Sequence, residues 1–168
     1  MKNKYIVLFA APVGTSKTPI AHFLSSKLSI PVHSNDAIRS EVAEDLLFFD
    51  QKEYEKRRDK RLEEIFKKGN PFILDASIDR EWDDNYKKLI NESNYKIFII
   101  SIDLSKEFIV KLFKTKDYTA FDKLDGWIKD HEEFLEKYKN LVNFHITDEN
   151  FKDRLKLSAE KLQEWIRI

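Results

Sequence analysis

Five short segments typical of buried strands, separated by segments of helical periodicity, restrict the fold of this chain more than any other feature of its sequence. The first run is apolar at every position from Tyr5 to Ala10. Continuous apolar runs are typical of strands in a parallel sheet that helices cover on both faces. The other candidate strands are Pro31–His33, Phe72–Leu74, Tyr95–Ile102 and Leu141–Ile146. We therefore predict a doubly wound α/β fold, with a five-stranded parallel sheet and helices on both of its faces.

The segments between these runs carry apolar residues three or four positions apart, as a helix with one buried face requires. Gly69 is predicted to end a very polar helix over residues 51–68, because glycine readily takes the left-handed conformation found at helix C-termini. The helix that follows the second strand is predicted to bury Ile38, Val42, Leu46 and Phe49. Further helices are predicted from near Lys17, over residues 79–93, around Phe108 to Phe113, from Trp127 to Tyr138 and from Phe151 to Ile166.

Composition limits the class of protein. A chain of 168 residues, 42% of them hydrophobic, suits one packed core, and we expect a single domain over residues 1–168. The absence of cysteine excludes a disulfide framework, a thiol nucleophile and thiolate metal sites. Thirty basic residues balance thirty acidic ones, so net charge indicates neither a nucleic-acid nor a membrane partner. The N-terminal apolar run is too short to span a membrane, and we expect a cytoplasmic protein.

The eight residues after the first run are similar to a phosphate-binding loop, whose pattern is G-x-x-x-x-G-K-[ST]. Ala11 and Ser16 replace the two pattern glycines, but Lys17 and Thr18 match, and Gly14 stands where many kinase loops also carry a glycine. In such loops backbone amides bind phosphates, the lysine reaches the β- and γ-phosphates, and the hydroxyl ligates Mg²⁺. The residues predicted to bind ATP are Val13, Gly14, Thr15, Ser16, Lys17 and Thr18. An ordinary strand–turn–helix with a solvated lysine is the alternative.

A second candidate is Asp75, which directly follows the apolar run Phe72–Leu74. A carboxylate after a hydrophobic strand holds Mg²⁺ through water in P-loop enzymes. The carboxyl ends of neighbouring parallel strands meet at one edge of the sheet, so Asp75 is predicted to join Thr18 in a magnesium site. The competing interpretation is an aspartate that begins a turn before the next helix.

Asp36 and Arg39 follow the second strand and lie three residues apart, hence on one helix face. Asp36 is predicted to accept a proton from a substrate hydroxyl, or to orient it. Arg39 is predicted to hold an anionic substrate group or a phosphate. Alternatively, Asp36 stabilises the helix N-terminus and Arg39 is its ion-pair partner within the helix.

The order of these motifs resembles that of the small P-loop kinases. It runs from the strand and loop through SNDAIRSE (34–41) and ILDASIDREW (73–82) to FIISIDLSKE (98–107). That group includes nucleotide and small-molecule kinases, zeta-toxin-like kinases and polynucleotide 5′-kinases. The resemblance implies an ATP- and Mg²⁺-dependent phosphotransferase in which Lys17 contacts the phosphates, Asp36 acts as base and Arg39 binds the substrate, a small molecule or nucleotide. Asp79, Arg80 and Trp82 also resemble the stretch after the third strand of these kinases, where an arginine can face the substrate.

Two departures from this pattern keep other functions open. The lid of such kinases, expected here at about residues 106–125, usually supplies arginines. The basic residues of this stretch are all lysines. The side chains at positions 11 and 16 are expected to weaken phosphate binding. A degenerate nucleotide-binding or scaffolding domain is therefore one alternative. A kinase for nucleic-acid 5′ ends is another, supported only by basic patches such as residues 52–68. The lysines of the lid segment are Lys106, Lys111, Lys114, Lys116 and Lys123.

Overall fold

A computed structural model describes residues 4–80, 82 and 84–167. Its five strands form one sheet in the order β2-β3-β1-β4-β5, and every neighbouring pair is parallel. The predicted five-stranded parallel sheet is confirmed. The strands are β1 (Tyr5–Ala10), β2 (Val32–Ser34), β3 (Phe72–Ser77), β4 (Lys96–Asp103) and β5 (Val142–Thr147).

Seven α-helices of the described residues connect and cover these strands. They are α1 (Lys17–Leu28), α2 (Asn35–Leu46), α3 (Gln51–Lys68), α4 (Asp84–Glu92), α5 (Lys106–Thr115), α6 (Leu124–Tyr138) and α7 (Arg154–Ile166). Gly69 ends α3 in the left-handed conformation, with a φ of 68°, as predicted. In residues 4–80, 82 and 84–167, no helix combines the length and the apolar character that a bilayer crossing needs.

Side chains of β1 point alternately to the two faces of the sheet, and both faces are covered. Val7 and Phe9 pack against one set of helices, which includes Leu24 of α1 and Leu162 of α7. Ile6 and Leu8 pack on the other face, with Ile65 and Phe66 of α3, Ile90 of α4 and Phe134 of α6. Burial on both faces explains why the run is apolar at every position.

The predicted apolar stripe of α2 is wrong at its C-terminal end. Ile38 and Val42 are buried as predicted, but Leu46 is 37% exposed and Phe49 is 43% exposed. The helix ends at Leu46, and Leu47 then takes the left-handed conformation, with a φ of 64°. Phe49 therefore leaves the helix face. Its ring packs instead on Tyr54 of α3.

The helix predicted over residues 79–93 begins later, at Asp84. Strand β3 runs two residues past Asp75, and Ser77 pairs with Phe9 of β1. The amide of Ile78 then donates to the carbonyl of Phe9 at 2.9 Å, so the chain remains attached to β1 beyond the strand end. This attachment places Asp79 beside the end of β1 instead of at a helix start.

Candidate functional site

The connection from β1 to α1 has the backbone of an anion-binding turn. Gly14 and Ser16 both have left-handed φ angles, of 78° and 85°. Helix α1 begins at Lys17, so the amides at its start lack partners within the helix. Left-handed residues in a turn arrange successive N–H groups into a concave nest, and the helix dipole adds positive potential there. The segment therefore suits a phosphate group.

Gly14 is required for two reasons at this turn. Its φ of 78° is one that side chains rarely adopt, and a Cβ added there would lie only 2.6 Å from the ring of Phe113 in α5. The loop therefore passes close to α5, the helix at the start of the predicted lid. The buried Thr15 hydroxyl donates to the carbonyl of Pro12 at 2.7 Å and closes the turn internally.

Lys17 is partly buried, and the protein compensates the charge of its ammonium group only incompletely. Its Nζ donates to the carbonyl of Pro12 at 3.4 Å, and in the described part of the chain it forms no ion pair. Burial lowers the pKa of Lys17, while the charges of Asp79 and Asp75 partly oppose that effect. A desolvated cation at an anion-binding turn gains most from a charged ligand.

The predicted partners Thr18 and Asp75 do meet. Thr18 Oγ1 donates to Asp75 Oδ2 at 2.8 Å, across 57 residues of sequence. Asp75 lies in the buried strand β3 and is 7% exposed. Burial raises the pKa of Asp75, against the hydrogen bond from Thr18 and the charge of Lys17. The two oxygen-bearing groups therefore sit beside Lys17 at one edge of the sheet.

A cavity of about 430 Å³ lies over this edge of the sheet. Of the residues predicted to bind ATP or Mg²⁺ or to act on the acceptor, all except Thr15 line it, because the Thr15 hydroxyl is turned inward to Pro12. Arg80 lines it as well, but Asp79 and Trp82 do not. The predicted residues on its wall are Val13, Gly14, Ser16, Lys17, Thr18, Asp36, Arg39 and Asp75. The sequence-predicted side chains are thus brought together around one concave space, which is the form expected of a ligand site.

Asp36 and Arg39 approach this cavity from α2. The guanidinium of Arg39 lies 4.2 Å from the ring centroid of Tyr54 and 5.3 Å from that of Phe49. In the described residues it forms no ion pair with Asp36, so cation–π contacts hold its position instead. The carboxylate of Asp36 lies in the first turn of α2. Its charge is close enough to influence the pKa values of Lys17 and Asp75.

A buried ionic network lies behind the loop, and no sequence pattern indicates that its residues meet. Asp79 Oδ1 accepts a 2.8 Å hydrogen bond from the amide of Ala11, the first residue of the loop. Asp79 Oδ2 contacts His131 Nδ1 at 3.0 Å, and His131 Nε2 contacts Asp103 Oδ1 at 2.8 Å. His145 binds the other oxygen of Asp103. The described acids and histidines form no group able to hold a metal ion.

The network predicts how stability depends on pH. Burial alone would lower the pKa of His131, but hydrogen bonds and charges from Asp103 and Asp79 outweigh it and raise the pKa from 6.5 to about 9. A raised histidine pKa stabilises the fold fully below 6.5, and the benefit is lost as pH rises through about 9. We expect the free energy of unfolding to fall by roughly 1–3 kcal/mol between pH 7 and 10. Urea denaturation across this range measures it.

The variant His131→Gln should flatten this part of the pH profile, since it removes the titrating group. His22→Gln is the matched control, because His22 is an exposed histidine on α1. An equally steep decline in His131→Gln and in the unaltered chain would show that other groups cause it.

Comparisons with known proteins bear on the fold. No protein-family model and no curated protein matches the sequence. The tunicamycin resistance protein of Deinococcus radiodurans matches the structure with a TM-score of 0.67 and 13% identity, over 96% of this chain and 95% of that chain. Shikimate kinase from Bacteroides thetaiotaomicron gives a TM-score of 0.63 and 13% identity, over 98% of this chain and 99% of that chain.

The APS kinase of Mycobacterium tuberculosis, in complex with AMPPNP and APS, is another such match. Its TM-score is 0.63 at 16% identity, over 97% of this chain and 99% of that chain. Each of these proteins is similar along nearly its whole length to the chain described above. The chain has the P-loop kinase fold, as the motif order predicted.

Proposed function

We propose that this protein transfers the γ-phosphate of ATP to a hydroxyl group of a small molecule or nucleotide. The observation that carries the proposal is the pairing of Thr18 with Asp75 beside Lys17. It joins a phosphate-binding turn to an acidic strand end at the switch point of the sheet, where ligands of doubly wound folds bind. The kinase-fold neighbours support the same reaction class.

On the phosphate side, the loop residues fit a magnesium-bound triphosphate. Lys17 would neutralise phosphate oxygens at the helix N-terminus. Mg²⁺ prefers oxygen ligands and retains several waters, so a hydroxyl and a nearby carboxylate suit it better than a closed protein cage. Thr18 would supply the hydroxyl, and Asp75 would hold a water ligand. When bound, Mg²⁺ would offset the charge of the phosphate oxygens.

On the acceptor side, Asp36 is the candidate base. The acceptor hydroxyl oxygen forms a bond to the γ-phosphorus while the bond from that phosphorus to the β,γ-bridging oxygen breaks and ADP leaves. The hydroxyl proton passes to the carboxylate of Asp36. Arg39, held over Tyr54, and Arg80 line the same cavity and would hold an anionic part of the acceptor.

The charges of α3 favour a small acceptor over a nucleic-acid end. Arg57 is paired with three acids, at distances of 2.6, 2.8 and 2.9 Å, and Arg58 is paired with Asp59. These partners offset the charge of two of the eight basic residues in the run 52–68 that suggested a nucleic-acid surface. The acids around Arg57 are Glu41, Asp45 and Glu53.

A nucleotide-binding scaffold without transfer activity is the second candidate, and Ser16 favours it. A serine held at a φ of 85° costs about 1–2 kcal/mol of strain that glycine would avoid. Its side chain also lies where a phosphate approaches the backbone in this kind of loop.

Two measurements on the unaltered chain test the proposal. Thermal unfolding with ATP and Mg²⁺ should show stabilisation of roughly 2.7 kcal/mol at about a hundred times the dissociation constant. Transfer of the γ-phosphate to a panel of hydroxyl acceptors should then yield product. Stabilisation without product on a broad panel would favour the scaffold. Without any stabilisation, both candidates fail.

Asp75→Asn should weaken binding of ATP with Mg²⁺ more than binding of ATP alone. The amide preserves the shape of the side chain but removes the charge that would hold a metal-bound water. We expect the ratio of the two dissociation constants to change by roughly 10- to 100-fold, as for other residues that orient metal ligands. Titration calorimetry with and without Mg²⁺ measures both constants on one variant. Equal weakening of both would make Asp75 a structural residue.

A further inference from the structure

Arg154, the first residue of α7, reaches the phosphate loop from the far end of the chain. Its Nε donates to Ser16 Oγ at 2.9 Å across 138 residues of sequence, and its Nη1 donates to the carbonyl of Phe151 at 3.0 Å. The guanidinium carbon also lies 4.1 Å from the ring centroid of Phe151. Two contacts with Phe151 and one with Ser16 therefore fix the position of this guanidinium. Ser16 is the residue that replaces the second glycine of the loop pattern.

Lys116, just after α5, contacts the same loop two residues earlier. Its Nζ donates to the carbonyl of Gly14 at 2.8 Å, and its side chain lines the cavity. Burial lowers the pKa of Lys116, and the charge of Arg154 lowers it further, so the two cations are close to each other. Burial also lowers the pKa of Arg154.

None of the three cations around the loop has a described acid at ion-pair distance, although the charges of Asp79 and Asp75 partly compensate Lys17. Within residues 4–80, 82 and 84–167, neither Arg154 nor Lys116 forms an ion pair, and Lys17 forms none beside them. Positive charges gathered around one loop repel one another, and an anion that joins them would relieve that repulsion. An anion with several charged oxygens, such as a polyphosphate, fits this arrangement better than a single carboxylate.

We propose that Arg154 and Lys116 bind the phosphates of the nucleotide together with Lys17, and that Arg154 replaces the arginines absent from residues 106–125. This inference rests on the proposed function. Guanidinium has five N–H donors, and Nε and Nη1 each use one on the protein, so others remain for phosphate oxygens. Ser16 takes part as well. Because its Oγ accepts from Arg154, its own proton can be donated to a phosphate oxygen.

Titration calorimetry with MgATP and with inorganic tripolyphosphate tests the proposal. Arg154→Met should lower affinity for both probes by roughly 10- to 100-fold, because it removes charge-assisted hydrogen bonds. Arg154→Lys keeps the charge and loses the planar fork. Its affinity for each probe should lie between that of Arg154→Met and that of the unaltered chain. Arg167→Met is the matched control, since Arg167 is exposed at the other end of α7 and should bind like the unaltered chain.

A double-mutant cycle with Ser16→Gly separates ligand contact from loop support. If Arg154 contacts phosphate, Arg154→Met should still weaken binding by at least about tenfold in the Ser16→Gly background. If it only positions Ser16, the effect should disappear in that background, and the inference is overturned. Unchanged affinity in both Arg154 variants also overturns it and leaves the proposed function standing. Failure of the unaltered chain to bind either probe overturns both.

Discussion

Lys17→Ala is expected to lower the affinity for MgATP by at least about 100-fold, because two charge-assisted hydrogen bonds to phosphate are each worth about 1.5–3 kcal/mol. The fold should survive the change. The ammonium of Lys17 has only a 3.4 Å hydrogen bond to the carbonyl of Pro12, and burial lowers its pKa. Removing a partly buried cation that has no ion-pair partner among the described residues should leave the free energy of unfolding of the ligand-free protein unchanged or higher.

Calorimetric titration and urea denaturation of the same samples check both parts of this expectation. Lys27→Ala is the matched control, because Lys27 is an exposed lysine in the last turn of the same helix. Loss of binding accompanied by a large loss of stability would indicate a folding defect and not a missing ligand contact. If Lys17→Ala binds MgATP as tightly as the control, the phosphate-loop assignment is wrong.

The fold was predictable where one physical cause dominates the sequence. Burial of β1 and β4 on both faces requires apolar side chains at successive positions, which a helix or a half-exposed strand does not. Element ends depend on contacts that no local pattern records. Strand β3 extends to Ser77 because that residue pairs with Phe9 of β1. Helix α2 ends at Leu46 although apolar residues continue through Phe49.

The same distinction applies to the candidate site. Gly14, Lys17 and Thr18 lie in one short segment after a strand, so their similarity to a phosphate loop could be recognised from the sequence. Asp75 could be added because the carboxyl ends of parallel strands meet at one edge. Arg154 could not be added, since its contact with Ser16 spans 138 residues and depends on how α7 packs against α1.

His131 shows a different limit of sequence reasoning. It lies in the apolar stripe of α6, where a histidine resembles an ordinary core residue. Asp103 is the last residue of β4, and Asp79 lies two residues past the end of β3. Only the packing of α6 over these strand ends shows that one imidazole bridges both carboxylates.

The role predicted for Ser16 from the loop pattern differs from the role that its contacts in the structure suggest. From the loop pattern, a side chain at this position is expected to weaken phosphate binding. In the structure the serine adopts the left-handed conformation that glycine would take, and its hydroxyl accepts from Arg154. The substitution at position 16 is thus coupled to a cation elsewhere in the chain. Single-residue comparison with a loop pattern cannot detect such coupling.

Asp36→Asn is expected to lower the rate of phosphate transfer by roughly 100- to 10,000-fold, the usual range for losing a positioned base. ATP affinity should remain nearly unchanged. Asp36 lies on α2, and the loop that would bind the triphosphate lies between β1 and α1. Asparagine keeps the size of the side chain and a hydrogen-bonding oxygen, but it cannot take the hydroxyl proton. Product formation under saturating ATP, with ATP binding measured in parallel, gives both quantities.

Glu44→Gln provides the matched control, since it neutralises an exposed acid on the same helix away from the cavity. It should transfer phosphate at the rate of the unaltered chain. If the protein is a scaffold, Asp36→Asn should only reduce stability, by about 1 kcal/mol or less, through the lost interaction with the dipole of α2. Transfer at full rate by Asp36→Asn would remove Asp36 from the mechanism. A loss of rate together with a loss of ATP affinity would place Asp36 in nucleotide binding instead, because a base for the acceptor hydroxyl has no part in holding the triphosphate.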